Sequence, residues 1–95
     1  MKKLDLTVVI PTRNRSSILL RTLKELKKNN FFFKEIIVVD SSDTIHKNKI
    51  YASKISKKLN IKFFNSKPSA ALQRNIGLRN MNKKREFVMF LDDDI

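Results

Sequence analysis

Four short apolar runs, each closed by a polar cluster and separated by stretches of helical periodicity, restrict this chain to very few folds. Leu6 to Ile10 is β-branched and apolar, and it stops at Pro11-Thr12-Arg13-Asn14-Arg15. Glu35 to Val39 stops at Asp40-Ser41-Ser42-Asp43, and Ile61 to Phe64 at Asn65-Ser66-Lys67-Pro68. Phe87 to Leu91 runs into Asp92-Asp93-Asp94. Such runs read as strands. Between the first two, Leu19, Leu20, Leu23 and Leu26 recur at helical spacing behind Ser16 or Ser17 as a cap, up to Asn29-Asn30. A weaker helix follows the second strand, with Ile45, Ala52, Ile55 and Leu59 inward. Ser69 caps a third, in which Leu72, Ile76 and Arg79 stack around Gly77. Strand and helix alternate throughout, which predicts an α/β fold. The sheet should be Rossmann-like and parallel, with right-handed crossovers, helices on both faces and its fourth strand buried.

That order fixes where a ligand could sit. Open parallel sheets bind ligands beyond the carboxyl ends of their strands, near the point where strand order reverses. Every polar cluster named above follows a strand, so four loops are expected to meet at one edge.

Composition narrows the chemistry. The 95 residues suffice for one small domain. A single glycine cannot supply a G-x-G-x-x-G fingerprint or a Walker loop, which counts against dinucleotide dehydrogenases and P-loop hydrolases. Without cysteine there is neither a disulfide nor a thiolate metal site. Met1-Lys2-Lys3-Leu4 imitates a signal peptide, but Asp5 and Pro11 interrupt the apolar run that follows, so a soluble cytoplasmic domain is expected. The net charge of +12 invites a nucleic-acid reading. The lysines, however, fall on helix faces, such as Lys24, Lys27 and Lys28, where they form solvated surface. No nucleic-acid partner is expected; peripheral attraction to acidic lipid suits the charge better.

The end of the fourth strand carries the sharpest signal. Asp92 and Asp94 are two apart and in extended geometry project together, with Asp93 opposite. Hard oxygen ligands of that kind suit a divalent cation completed by substrate phosphates. Arg13, Arg15, Lys67 and Arg74 could complement a diphosphate, or pair with surface acids. Asp40 could accept from a base or ribose, while Asp43 fits a helix cap. His46 has no partner at ligand spacing and reads as exposed, and Phe31-Phe32-Phe33 reads as a core plug.

Four blocks together resemble the family-2 glycosyltransferases of GT-A fold: Val8-Val9-Ile10-Pro11-Thr12-Arg13-Asn14-Arg15, Glu35-Ile36-Ile37-Val38-Val39-Asp40, Gln73-Arg74-Asn75-Ile76-Gly77, and Phe90-Leu91-Asp92-Asp93-Asp94. The resemblance implies a nucleotide-diphospho-sugar donor, an acceptor (glycan, lipid or protein), Mn²⁺ or Mg²⁺, and transfer with inversion. It implies that Pro11, Thr12 and Arg13 line the nucleoside pocket and that Asp40 bonds the base. Lys67 and Arg74 would border the base and phosphates. Asp92 and Asp94 would bind metal, Asp94 most directly, with Asp93 turned to the ribose. Residues 1–95 would then be the nucleotide-sugar-binding part, with the acceptor half and the catalytic base beyond Ile95, and the enzyme would work at the cytoplasmic face of a membrane.

The chain departs from the family pattern in three places: Ser41-Ser42 follows Asp40 where Asp-Asp-Gly-Ser is common, Ser69 replaces a glycine, and Gln73 replaces an alanine. A sugar nucleotidyltransferase is the alternative enzyme, but its glycine-rich loop after the first strand is missing. A basic nucleic-acid-binding module is the alternative outside enzymes.

Overall fold

The computed structural model describes residues 5–28, 33–43 and 60–94. The helix expected around Ile45 to Leu59, His46 and the first two residues of the Phe31-Phe32-Phe33 plug lie outside them. Within them the order is β1 (Leu6–Thr12), α1 (Ser16–Lys28), β2 (Glu35–Asp40), β3 (Ile61–Asn65), α2 (Ala70–Asn80) and β4 (Phe87–Phe90). The four strands are parallel and ordered β3-β2-β1-β4. From β1 the chain steps outward through β2 to β3, then returns to β1's other side. Strand order therefore reverses between β1 and β4.

Alternation along the strands gives each helix its own face of the sheet. Val8, Ile10, Ile36 and Val38 pack with Leu19 and Leu23 of α1 and with Phe33. Val9, Ile37 and Val39 point the other way and pack against Ile76 of α2, Met81 and Phe64. Leu20 and Leu26 are partly buried against the first cluster, as their spacing predicts. Arg79, expected to stack inside α2, is exposed instead. It lies two residues past Gly77, off the inward stripe formed by Gln73, Ile76 and Gly77.

Gly77 sets how closely α2 approaches the sheet. A Cβ built on it would stand 2.4 Å from Cγ1 of the fully buried Val9, well inside contact distance. Ser69 caps α2 as expected, with extended backbone and its hydroxyl accepting from the Leu72 N–H. The start of α1 differs. The Leu19 N–H donates to the Arg15 carbonyl, which makes Arg15 the cap position and puts Ser16 inside the helix.

β4 also departs from expectation. Phe87, Val88, Met89 and Phe90 are 56%, 36%, 40% and 40% exposed. Their composition is that of a buried strand, but among the described residues β4 is an edge strand paired with β1 alone, and even its large apolar side chains stay open to solvent.

At the amino end of the sheet, Glu35 is buried and gathers several donors. Its carboxylate accepts from the Thr7 hydroxyl and the Asn82 N–H, and pairs with Lys62 at 3.3 Å and Arg85 at 3.8 Å. Burial alone raises the Glu35 carboxyl. The Thr7 hydroxyl, the Asn82 N–H and Lys62 together outweigh that and hold it below its ordinary range.

Candidate functional site at the carboxyl edge

The ends of the strands line up. Thr12, Asp40 and Asn65 stand side by side across β1, β2 and β3. β4 pairs Phe90 with Val9, and the Leu91 N–H then donates to the Val9 carbonyl. Running that register three residues further brings Asp93 level with Thr12, and the two side chains meet: Thr12 Oγ1 donates to Asp93 Oδ2 at 2.8 Å. Pro11 sits in β1 without disturbing the ladder. It has the parity of Val9, whose carbonyl faces β4, so its missing N–H falls just where β4 has ended.

Loop-to-loop bonds lock the remaining clusters together. Asn14 adopts φ 53°, a left-handed conformation that asparagine tolerates, and its backbone N–H donates to Ser42 Oγ. Its side chain exchanges two bonds with Asp43, donating from Nδ2 and accepting the Asp43 N–H at Oδ1. Arg13 donates to the Ser41 carbonyl, and the Ser41 N–H donates to the Thr12 carbonyl. The Ser66 N–H reaches the Asp40 carbonyl. Thus the loops after β1, β2 and β3 are joined, and the Thr12–Asp93 bond adds the fourth.

Between them lies an open cleft of about 370 Å³ lined by Pro11, Thr12, Arg13, Arg15, Ala70, Gln73 and Asp93. Gln73 forms its floor. Its buried amide nitrogen donates to both the Thr12 carbonyl (3.1 Å) and the Val39 carbonyl (2.9 Å), tying α2 to the ends of β1 and β2. A helix residue with two N–H donors is needed to satisfy two carbonyls at once. The sequence alone marks Gln73 as part of a family-like block and as a departure at one position, not as the floor of a cleft; the signal for that role is a long amide on the inward stripe of α2, one turn before Gly77.

The acidic turn divides its work. Asp92 and Asp94 are exposed and Asp93 is buried, but Asp93 and Asp94 lie in a turn rather than in the expected extended geometry, and Arg15 Nη1 stands within 3.5 Å of both their carboxylates. Asp93 is pinned from three directions: Thr12 at Oδ2, Arg15 beside Oδ1, and the Thr22 hydroxyl of α1 at its backbone carbonyl, 2.7 Å away. Asp40 is fully buried. One of its oxygens accepts from the Ser42 N–H, and the other has no partner among the described residues. A buried acceptor left open in this way is expensive unless something completes it.

A family model described as "Glycosyl transferase family 2" matches residues 7–95. The chain belongs to glycosyl transferase family 2. Among solved structures it is similar to the crystal structure of S. aureus TarS 1–349, with a TM-score of 0.78 and 31% identity, covering 99% of this chain and 28% of that one. It is also similar to the crystal structure of S. aureus TarS, with a TM-score of 0.71 and 30% identity over 99% of this chain and 17% of that one. The chain thus spans less than a third of the length of these structures. No curated protein matches it. The parallel sheet with helices on both faces is the GT-A-like, Rossmann-like arrangement that the family implies.

Within this glycosyl transferase family 2 domain, the expected site residues separate into two groups. Pro11, Thr12, Arg13 and Asp93 line the cleft; Asp40 lies behind it in the same row of strand ends. Lys67, Arg74, Asp92 and Asp94 are exposed and do not line it. Arg74 rests over the ring of Phe90, 5.9 Å from its centroid. As for a metal, no group of three acidic or histidine side chains among the described residues is placed to hold one alone. Two exposed carboxylates do fit a hard cation that keeps water and phosphate oxygens as its other ligands.

Proposed function

We propose that this chain forms the nucleotide-sugar-binding part of a glycosyltransferase that moves a sugar from a nucleotide-diphospho donor to an acceptor hydroxyl with inversion. The observation that carries the proposal is the buried oxygen of Asp40 that has no partner among the described residues, set in one row with Thr12 beside a cleft at the reversal of strand order. Ligands of parallel sheets sit at that place.

In this reading Pro11, Thr12 and Arg13 border the nucleoside, and the base donates to Asp40. Arg13, Lys67 and Arg74 spread positive charge around the diphosphate. Asp92 and Asp94 would hold Mn²⁺ or Mg²⁺, and Asp93, fixed by Thr12 and Thr22, would set the position of both and face the ribose. The bound metal would offset charge gathering on the departing nucleoside diphosphate. The acceptor hydroxyl would attack from the opposite face of the sugar and give its proton to a carboxylate. That base and the acceptor site are placed outside these residues. Work at the cytoplasmic membrane face belongs to the same proposal, supported by the +12 charge, which acidic lipid attracts. No helix of the described residues is long and apolar enough to cross a membrane.

Calorimetric titration of UDP and GDP, each with Mn²⁺ and with EDTA, tests the proposal. Binding of one nucleotide that requires the metal and is lost in Asp94→Ala is expected. Binding indifferent to EDTA that collapses with added salt would point to a general polyanion surface instead.

A further inference from the structure

Arg15 has a position that donor binding alone leaves unexplained. Its guanidinium borders the cleft, yet Nη1 lies 3.4 Å from Asp93 Oδ1 and 3.5 Å from Asp94 Oδ2. A single nitrogen bridges two neighbouring carboxylates. Asp93 is already fixed by Thr12 and Thr22, so the bridge chiefly restrains Asp94, the more exposed of the two. Carboxylates this close repel, and a nearby cation relieves the repulsion while no metal is bound.

The attachment of Arg15 suits a group that changes partners. Its backbone is fixed as the cap of α1 by the Leu19 N–H. Its side chain, by contrast, is about half exposed, at 51%. Exposed ion pairs are individually weak, about 0–1 kcal/mol, and exchange readily. A planar guanidinium, moreover, fits phosphate oxygens with two parallel bonds.

We propose that Arg15 is an exchangeable counter-cation. It bridges Asp93 and Asp94 in the ligand-free chain, releases Asp94 to the arriving divalent cation, and passes its guanidinium to the diphosphate of the nucleotide. The inference rests on the donor-site reading above. It also makes a demand that a purely structural arginine does not: removing it must shift two affinities in opposite directions.

The experiment measures free Mn²⁺ by electron paramagnetic resonance, and UDP or GDP binding at saturating Mn²⁺ by calorimetry. Both are run on the wild-type chain, Arg15→Gln and Arg15→Lys, with circular dichroism melts confirming that each is folded. Arg15→Gln is expected to bind Mn²⁺ alone roughly threefold to fivefold more tightly, the competing pair being gone, and the nucleotide at least tenfold more weakly. Arg15→Lys, which keeps the charge but not the fork, is expected to bind Mn²⁺ like wild type and to lose nucleotide affinity. If Arg15→Gln weakens both ligands or changes neither, or if Arg15→Lys binds nucleotide as wild type does, the exchange is overturned while the donor site stands. If wild type itself binds no nucleotide with Mn²⁺, the donor reading fails, and the exchange fails with it.

Discussion

Thr12 donates its hydroxyl to Asp93 across the junction of β1 with the turn after β4, at 2.8 Å, and so joins the strand ends on either side of the reversal of strand order. Asp93 is 7% exposed, and solvent has little access to replace a lost donor. Thr12→Val keeps the shape and removes the hydroxyl. It is expected to lower stability in urea by about 1–3 kcal/mol, with Thr12→Ser close to wild type. Equal stability of Thr12→Val and wild type would show that the bond does not hold the acidic turn.

Gln73 closes the same edge from below. In Gln73→Leu the carbonyl of Val39 loses its amide partner and that of Thr12 keeps only its bonds from Ser41. A loss of about 1–3 kcal/mol is expected in chemical denaturation. Gln73→Glu should be worse than Gln73→Leu at neutral pH, since it sets a carboxylate against two carbonyl oxygens. The reverse ranking would mean that the amide packs rather than bonds.

At Gly77 the constraint is steric. Gly77→Ala should gain helix propensity of about 1 kcal/mol, but the new methyl meets Val9, which is sealed in the core. A net loss of roughly 1–3 kcal/mol is expected. Combining it with Val9→Ala should destabilise by less than the two single changes added together. Strict additivity in thermal or urea melts would place the strain elsewhere.

Glu35 makes the opposite edge pH-sensitive. Its folded carboxyl is held below the ordinary value of 4.5, so the unfolded chain takes up a proton first as pH falls. The stabilisation is thus fully present above about pH 4.5 and is lost as pH drops through the lower, folded value. Acid-unfolding curves should be shallower for Glu35→Gln, which lacks that ionisation. An unchanged slope below pH 4.5 would rule out Glu35 as a source of the acid sensitivity.

Much of this arrangement could be read before the structure, because it rests on local signals. The runs at Leu6, Glu35, Ile61 and Phe87 are apolar and end in polar clusters, and all four became parallel strands whose loops meet. The exposure of β4 could not be read, since Phe87 to Phe90 have the composition of a core strand. Only strand order, a long-range property, leaves them at an edge. The burial of Asp93 among Thr12, Arg15 and Thr22 depends on the β1–β4 register for the same reason. Ser16 and Ser17 looked like caps because serine commonly caps, but the loop locked by Asn14 starts α1 one residue earlier.

The central claim is that the carboxyl edge between β1 and β4 binds a nucleoside diphosphate together with a divalent cation. Mn²⁺ broadens the amide resonances of nearby residues, so adding it in trace amounts to ¹⁵N-labelled chain, with UDP or GDP present, reports the position of the ion directly. The account predicts broadening at Thr12, Arg13 and Asp92 to Asp94, reversed by EDTA. The acids at the other end of the sheet, Asp5, Glu35 and Glu86, serve as an internal control. Broadening centred on those residues, or spread evenly over the chain, would contradict the account.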